Sequence, residues 1–151
     1  MQELHEGPYL LVAALCEHVI EDKRGVLSLI GLVDRITHTA TGPEPPRLMP
    51  PVTVNLHLVI TLKSGAARGR SEIRIGLIEP SGMKAPADLV HPVYFEGEDR
   101  GVNILTRLNL ELDKEGLYWF EVSHEGRLLT RVPLRILYQP LQTSMSPGSA
   151  S

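Results

Sequence analysis

The sequence has one cysteine, no excess of basic residues and no apolar run long enough to cross a bilayer, and each shortage excludes something. With Cys16 alone, no intrachain disulfide can form. Cys16 follows Ala14 and Leu15 in an apolar run, so it reads as a buried, inert thiol; a reactive one needs an electropositive, accessible setting. A net charge of −3 and a pI near 6.1 argue against a general nucleic-acid binder. The run Tyr9 to Cys16 follows acidic residues, has no basic segment before it and ends without a small-residue cleavage site. It reads neither as a signal peptide nor as a membrane span, and the expectation is a cytoplasmic protein with no membrane or nucleic-acid partner. Missing too are a His-Glu-x-x-His, a Walker loop, a dinucleotide fingerprint and a Gly-x-Ser-x-Gly. No catalytic residue and no cofactor is predicted.

What the chain does have is alternation. Val52, Val54, Leu56, Leu58, Ile60 and Leu62 fall on one side of a run whose other side carries Thr53, Asn55, His57 and Thr61. A side-chain period of two belongs to a β-strand with one buried and one wet face. The same rhythm recurs over 71–78, where Ile73, Ile75 and Leu77 oppose Glu72 and Arg74, and over 102–112. It predicts further strands over 9–20, 26–36, 93–96, 117–123 and 127–138. The first could instead be a helix, since Ala and Leu favour one. Hairpin pairing of the first two is the simplest arrangement, with Gly31 marking a bulge or a close approach. Residues 83–92, with Pro86 and Pro92, read as an irregular crossing. The segment 41–51 has five prolines and reads as an extended surface connection.

About eight strands around one core predict an all-β fold, an antiparallel two-sheet β-sandwich of immunoglobulin-like or C2-like kind. One domain is expected over 8–138, with an N-terminal extension over 1–7 and a flexible Ser/Pro/Gly tail over 139–151. The expected core is Leu56, Leu58, Ile73, Ile75, Ile104, Leu108, Leu110, Val132 and Leu134.

Few polar groups stand out. Gly116-Leu-Tyr118 resembles the corner before the penultimate strand of immunoglobulin-like sandwiches, where a tyrosine packs inward and its hydroxyl ties back to the backbone. The acid usual four positions earlier is Lys114 here. Six histidines are scattered, none at zinc-ligand spacing, although His18 and His57 could meet across a sheet. Glu96, Glu98 and Asp99 form the best candidate metal loop, of the kind that gives calcium its oxygens, yet the dense Asp-x-Asp grouping is missing. Arg127, Arg131 and Arg135, spaced by four, share one face of a strand. They could grip an acidic partner. With Pro133 they equally describe a protected edge strand. The uninterrupted run 52–62 must be internal to its sheet or paired with a second chain, so a homo-oligomer or a protein partner is expected.

Two segments resemble a known family. One is Cys16-Glu17 followed by Gly25-Val-Leu-Ser28-Leu-Ile-Gly31-Leu-Val-Asp34-Arg-Ile36. The other runs from Gly116-Leu-Tyr118-Trp-Phe120-Glu-Val122 through Gly126 to Pro133-Leu-Arg-Ile136. Together they are similar to a bacterial family known only as domain of unknown function 6941, over about residues 8–138. The resemblance implies one small domain and assigns no residue a role. The functional expectation is a non-catalytic binding or structural module. The alternatives are a small metal-dependent or hydrolytic enzyme built on His and loop carboxylates, and a calcium- or carbohydrate-binding sandwich.

Overall fold

The computed structural model of the chain describes residues 6–143, and every regular element among them is a strand. There are nine: β1 Tyr9–Glu21, β2 Leu27–Leu32, β3 Arg35–Gly42, β4 Val52–Gly65, β5 Gly69–Ile78, β6 Leu89–Phe95, β7 Glu98–Leu112, β8 Gly116–His124 and β9 Arg127–Gln142. They form a four-stranded sheet in the order β2-β1-β4-β7 and a five-stranded sheet in the order β3-β9-β8-β5-β6. The first segment is therefore strand and not helix. Its inward residues Leu10, Ala13 and Leu15 face Leu62, Ile60 and Leu58 of β4, and β4 rewards an extended chain with a ladder along most of its length.

The expected single strand over 26–36 is two strands in different sheets. β2 pairs with β1, from Cys16 opposite Leu32 to Glu21 opposite Leu27. The chain then crosses at Val33 and Asp34: the Val33 amide donates to the Leu15 carbonyl at 2.9 Å, and the Arg135 amide donates to the Asp34 carbonyl at 3.0 Å. β3 continues in the other sheet, parallel to β9. The five-stranded sheet is thus mixed, and the expectation of purely antiparallel sheets is corrected. Gly31, just before the crossing, has φ +73°, and a Cβ there would lie 2.8 Å from the Glu17 carboxylate. The positive φ needs glycine, whereas the Glu17 side chain could swing aside.

The proline-rich connection is pinned at two points. Met49 is buried in the core, and the Tyr138 hydroxyl donates to the Pro46 carbonyl at 2.6 Å. Residues 89–92, expected to be irregular, begin β6. Pro92 sits opposite Glu72 of β5 on the outermost strand, where a missing amide costs no ladder bond. β4 pairs with β1 on one side and β7 on the other, so it is internal and offers no edge to a second chain. β9 extends to Gln142 because β3 pairs with it up to Gly42. Of the expected flexible tail, 144–151 lie outside the described residues, as do 1–5 of the N-terminal extension.

One core fills the space between the sheets. Eight of the nine expected core residues are buried, from Leu58 and Leu134 at 0 % exposure to Val132 at 7 %. Leu110 is half-buried and packs against the core. Tyr118 is buried and its hydroxyl donates to the Lys114 carbonyl at 2.7 Å. The tie is to the backbone, so lysine serves there as well as an acid. Burial raises the Tyr118 pKa.

Candidate functional site

Ser64 continues the inward row of β4, fully buried, and its hydroxyl donates to the Arg100 carbonyl at 2.8 Å; four further polar side chains occupy inward slots of other strands. On β5, Ser71 continues the row of Ile73 and Ile75. On β8, His124 continues the row of Tyr118, Phe120 and Val122. On β6, His91 precedes Val93 and Phe95, and on β7, Thr106 lies between Ile104 and Leu108. Buried polar groups need partners. These find each other: Ser71 Oγ and His124 Nε2 are hydrogen-bonded at 2.7 Å, and Thr106 Oγ1 and His91 Nε2 at 2.8 Å. The second pair spans the two sheets, stitching β6 to β7.

The Ser71–His124 pair floors a cleft of about 440 Å³ at the end of the molecule where β4 turns into β5 and β8 into β9. His124 is 8 % exposed, and its ring packs edge-to-face with Phe95, with centroids 5.6 Å apart at 87°. The β8–β9 connection is the two-residue turn Glu125-Gly126, with φ +48° and +77°. Positive φ at both positions marks a type I′ hairpin. That turn sets Arg127 beside His124. Arg127 Nη1 lies 3.4 Å from Glu6 Oε2, and its Nη2 donates to the Pro8 carbonyl at 3.2 Å. Arg68 and Arg70 also line the cleft. Arg68 Nη1 donates to the Glu96 carbonyl at 3.1 Å and its Nη2 sits 3.6 Å from Glu98. Arg70 has no ion-pair partner among the described residues.

Chemically the cleft offers three guanidinium groups, a hydroxyl and a buried imidazole, against two carboxylates, Glu6 and Glu125. It suits an anion with a planar or tetrahedral group of oxygens. It is poorly made for a serine nucleophile. Activation needs a third group orienting the histidine through its second nitrogen. Here Glu125 Oε1 approaches Nε2, the nitrogen already on Ser71, and stays 3.9 Å away.

The residues singled out by sequence lie around this site more than in it. Glu96 is taken by Arg100 at 2.8 Å, Glu98 faces Arg68, and Asp99 is exposed. Among the described residues, no three His, Cys, Asp or Glu side chains converge as a metal site would need. Arg131 and Arg135 share the outer face of β9, but a register shift opposite Val122 and Ser123 turns Arg127 to the side of His124, its ladder partner, so the expected common face of all three is corrected. Arg127 alone reaches the cleft; Arg131 pairs with Glu121 at 2.9 Å, and Arg135 stands beside Arg35 of β3. β9 is an edge only as far as Leu134, since β3 covers it from Arg135 onward. His18 and His57 line one shallow groove on the outer face of the four-stranded sheet, with His57 Nδ1 3.2 Å from the Glu17 carbonyl. Cys16 is fully buried and burial raises its pKa. Ser71 and His124 were missed, although the alternation that found Ile73 and Ile75 also places Ser71 inward.

These features define a two-sheet all-β domain with a polar cleft at one end. The chain belongs to the family of unknown function DUF6941, which matches residues 11–137. No curated protein matches it. Among solved structures it is similar to a β-glucosidase from Listeria innocua in complex with glucose, at 11 % identity and a TM-score of 0.47. That match covers 85 % of this chain and 17 % of the glucosidase, so the chain spans about a sixth of that protein's length.

Proposed function

We propose that this chain is a non-catalytic binding module whose cleft takes a carboxylate or phosphate group carried by its ligand. The observation that supports this is the convergence of Arg68, Arg70 and Arg127 on the rim of a cleft floored by Ser71 and His124. A buried, satisfied hydroxyl–imidazole pair holds the floor rigid and gives it donors. The guanidinium groups supply charge and two-pronged hydrogen bonding. Inorganic phosphate tests it. A ligand that binds only the folded chain raises the unfolding midpoint in a saturable way. Arg70→Gln should shrink that rise. A wild-type chain indifferent to phosphate and to simple dicarboxylates would remove the reading.

The 2.7 Å Ser71–His124 contact favours one competitor, a small hydrolase. Release of p-nitrophenol from its acetate ester, abolished by Ser71→Ala, would replace the binding reading with that one. An immunoglobulin-like architecture is likewise our proposal, supported by the Tyr118 hydroxyl tied to the Lys114 backbone.

A further inference from the structure

The outer face of the four-stranded sheet carries a second polar grouping, and the strand register builds it. His57 of β4 stands opposite Cys16 of β1 and Arg107 of β7. Asn55, two residues along β4, stands opposite Asn109 of β7. The same register sets His18, two residues beyond Cys16 on β1, beside Asn55. Residues two apart on a strand share a face. His18, Asn55, His57, Arg107 and Asn109 therefore form two adjacent rows, and all of them line one groove of about 400 Å³. It shares no lining residue with the arginine-rimmed cleft.

The rows differ in charge. One sets His57 beside Arg107, and the other sets His18, Asn55 and Asn109 side by side. Arg107 has no ion-pair partner among the described residues. Glu17 also lines the groove, but its carboxylate lies against Gly31 of β2, with β1 and β4 between it and Arg107. Glu111 shares the outer face of β7 four residues from Arg107, about 13 Å along the strand. His57 Nδ1 lies 3.2 Å from the Glu17 carbonyl, an oxygen that can only accept. Nδ1 is therefore the donor, and Nε2 is the ring nitrogen left for a ligand. A guanidinium beside an imidazole suits a phosphate. Asparagine amides, each donor and acceptor at once, suit hydroxyls. The rows lie about 7 Å apart, a span that a phosphate and the hydroxyls of a small sugar can bridge.

We infer that this groove binds a phosphorylated sugar, with the phosphate on Arg107 and His57 and the hydroxyls on Asn55, Asn109 and His18. The inference does not rest on the reading of the other cleft. Ribose 5-phosphate is the probe, titrated into the isotopically labelled full chain and followed by nitrogen–proton correlation NMR. Saturable shifts are expected in the side-chain amide signals of Asn55 and Asn109. Arg107→Gln should weaken binding about tenfold. The double variant Asn55→Ala, Asn109→Ala should weaken ribose 5-phosphate about fivefold or more and leave inorganic phosphate unchanged, with little change in unfolding midpoint because both positions are exposed. Arg70→Gln, in the other cleft, should leave these shifts as they are. The inference fails if the Asn55 and Asn109 signals do not move, if inorganic phosphate moves them as far, if ribose alone binds as tightly, or if Arg107→Gln titrates as wild type does. Shifts confined to Ser71 and His124 and lost in Arg70→Gln would put the probe in the other cleft and overturn it equally.

Discussion

The hydroxyl of Tyr118 shows how much one atom can carry. It is buried, and its partner is the Lys114 backbone carbonyl. Tyr118→Phe should cost about 0.5–1.5 kcal/mol, measured by denaturant unfolding. The same residue sets an alkaline limit. Burial raises its pKa in the folded state, so the folded chain holds the phenol proton more tightly than the unfolded one. That contribution is complete below the ordinary tyrosine pKa of about 10 and is lost as pH rises through the higher folded value. Stability should fall above about pH 10, and less steeply in Tyr118→Phe. Glu125 makes the opposite point. Its φ of +48° is uncomfortable for a residue with a Cβ. Glu125→Asn should raise stability by about 0.5–1 kcal/mol, since asparagine accepts that conformation in a type I′ turn. An unchanged or lower midpoint would mean that the Glu125 side chain contributes something the turn alone does not require.

Among the elements, β4 is the organiser. It pairs with β1 and β7 and places Leu56, Leu58, Ile60 and Leu62 in the core at 4 % exposure or less. Leu58→Ala should cost about 2–5 kcal/mol through lost burial and a residual cavity. A loss under about 0.5 kcal/mol would contradict the packing described. Whether a strand is an edge proved harder to judge from its residues. β9 carries arginines and a proline, which suit an edge, yet it is one for only half its length. β6 holds Pro92 and is an edge throughout. Strand neighbours are chosen across the sheet, and the sequence of one strand reports them only weakly.

For the molecule as a whole, the two sheets share one hydrophobic core, and the ladders join distant parts of the chain: Arg35 pairs with Arg135, and Cys16 with His57. A shared core predicts one cooperative unfolding transition, with calorimetric and van't Hoff enthalpies equal. Such non-local pairing predicts refolding in milliseconds to seconds and not microseconds. Two separated transitions would show that one sheet survives without the other.

The fold class, most strand positions and the core were legible because a period of two is written in adjacent residues and needs no tertiary information. So was the inward Tyr118. The candidate site was half-legible. Ser71 and Thr106 interrupt inward rows, which marks them as buried polar residues, but nothing local says that they meet His124 and His91. Those pairings lie 53 and 15 residues apart. The crossing at Val33 and Asp34, the parallel union of β3 with β9, and the arginine-rimmed cleft were decided only in three dimensions. Each depends on where one sheet stops relative to the other, and that is a balance of burial over the whole core with no signature in any single segment.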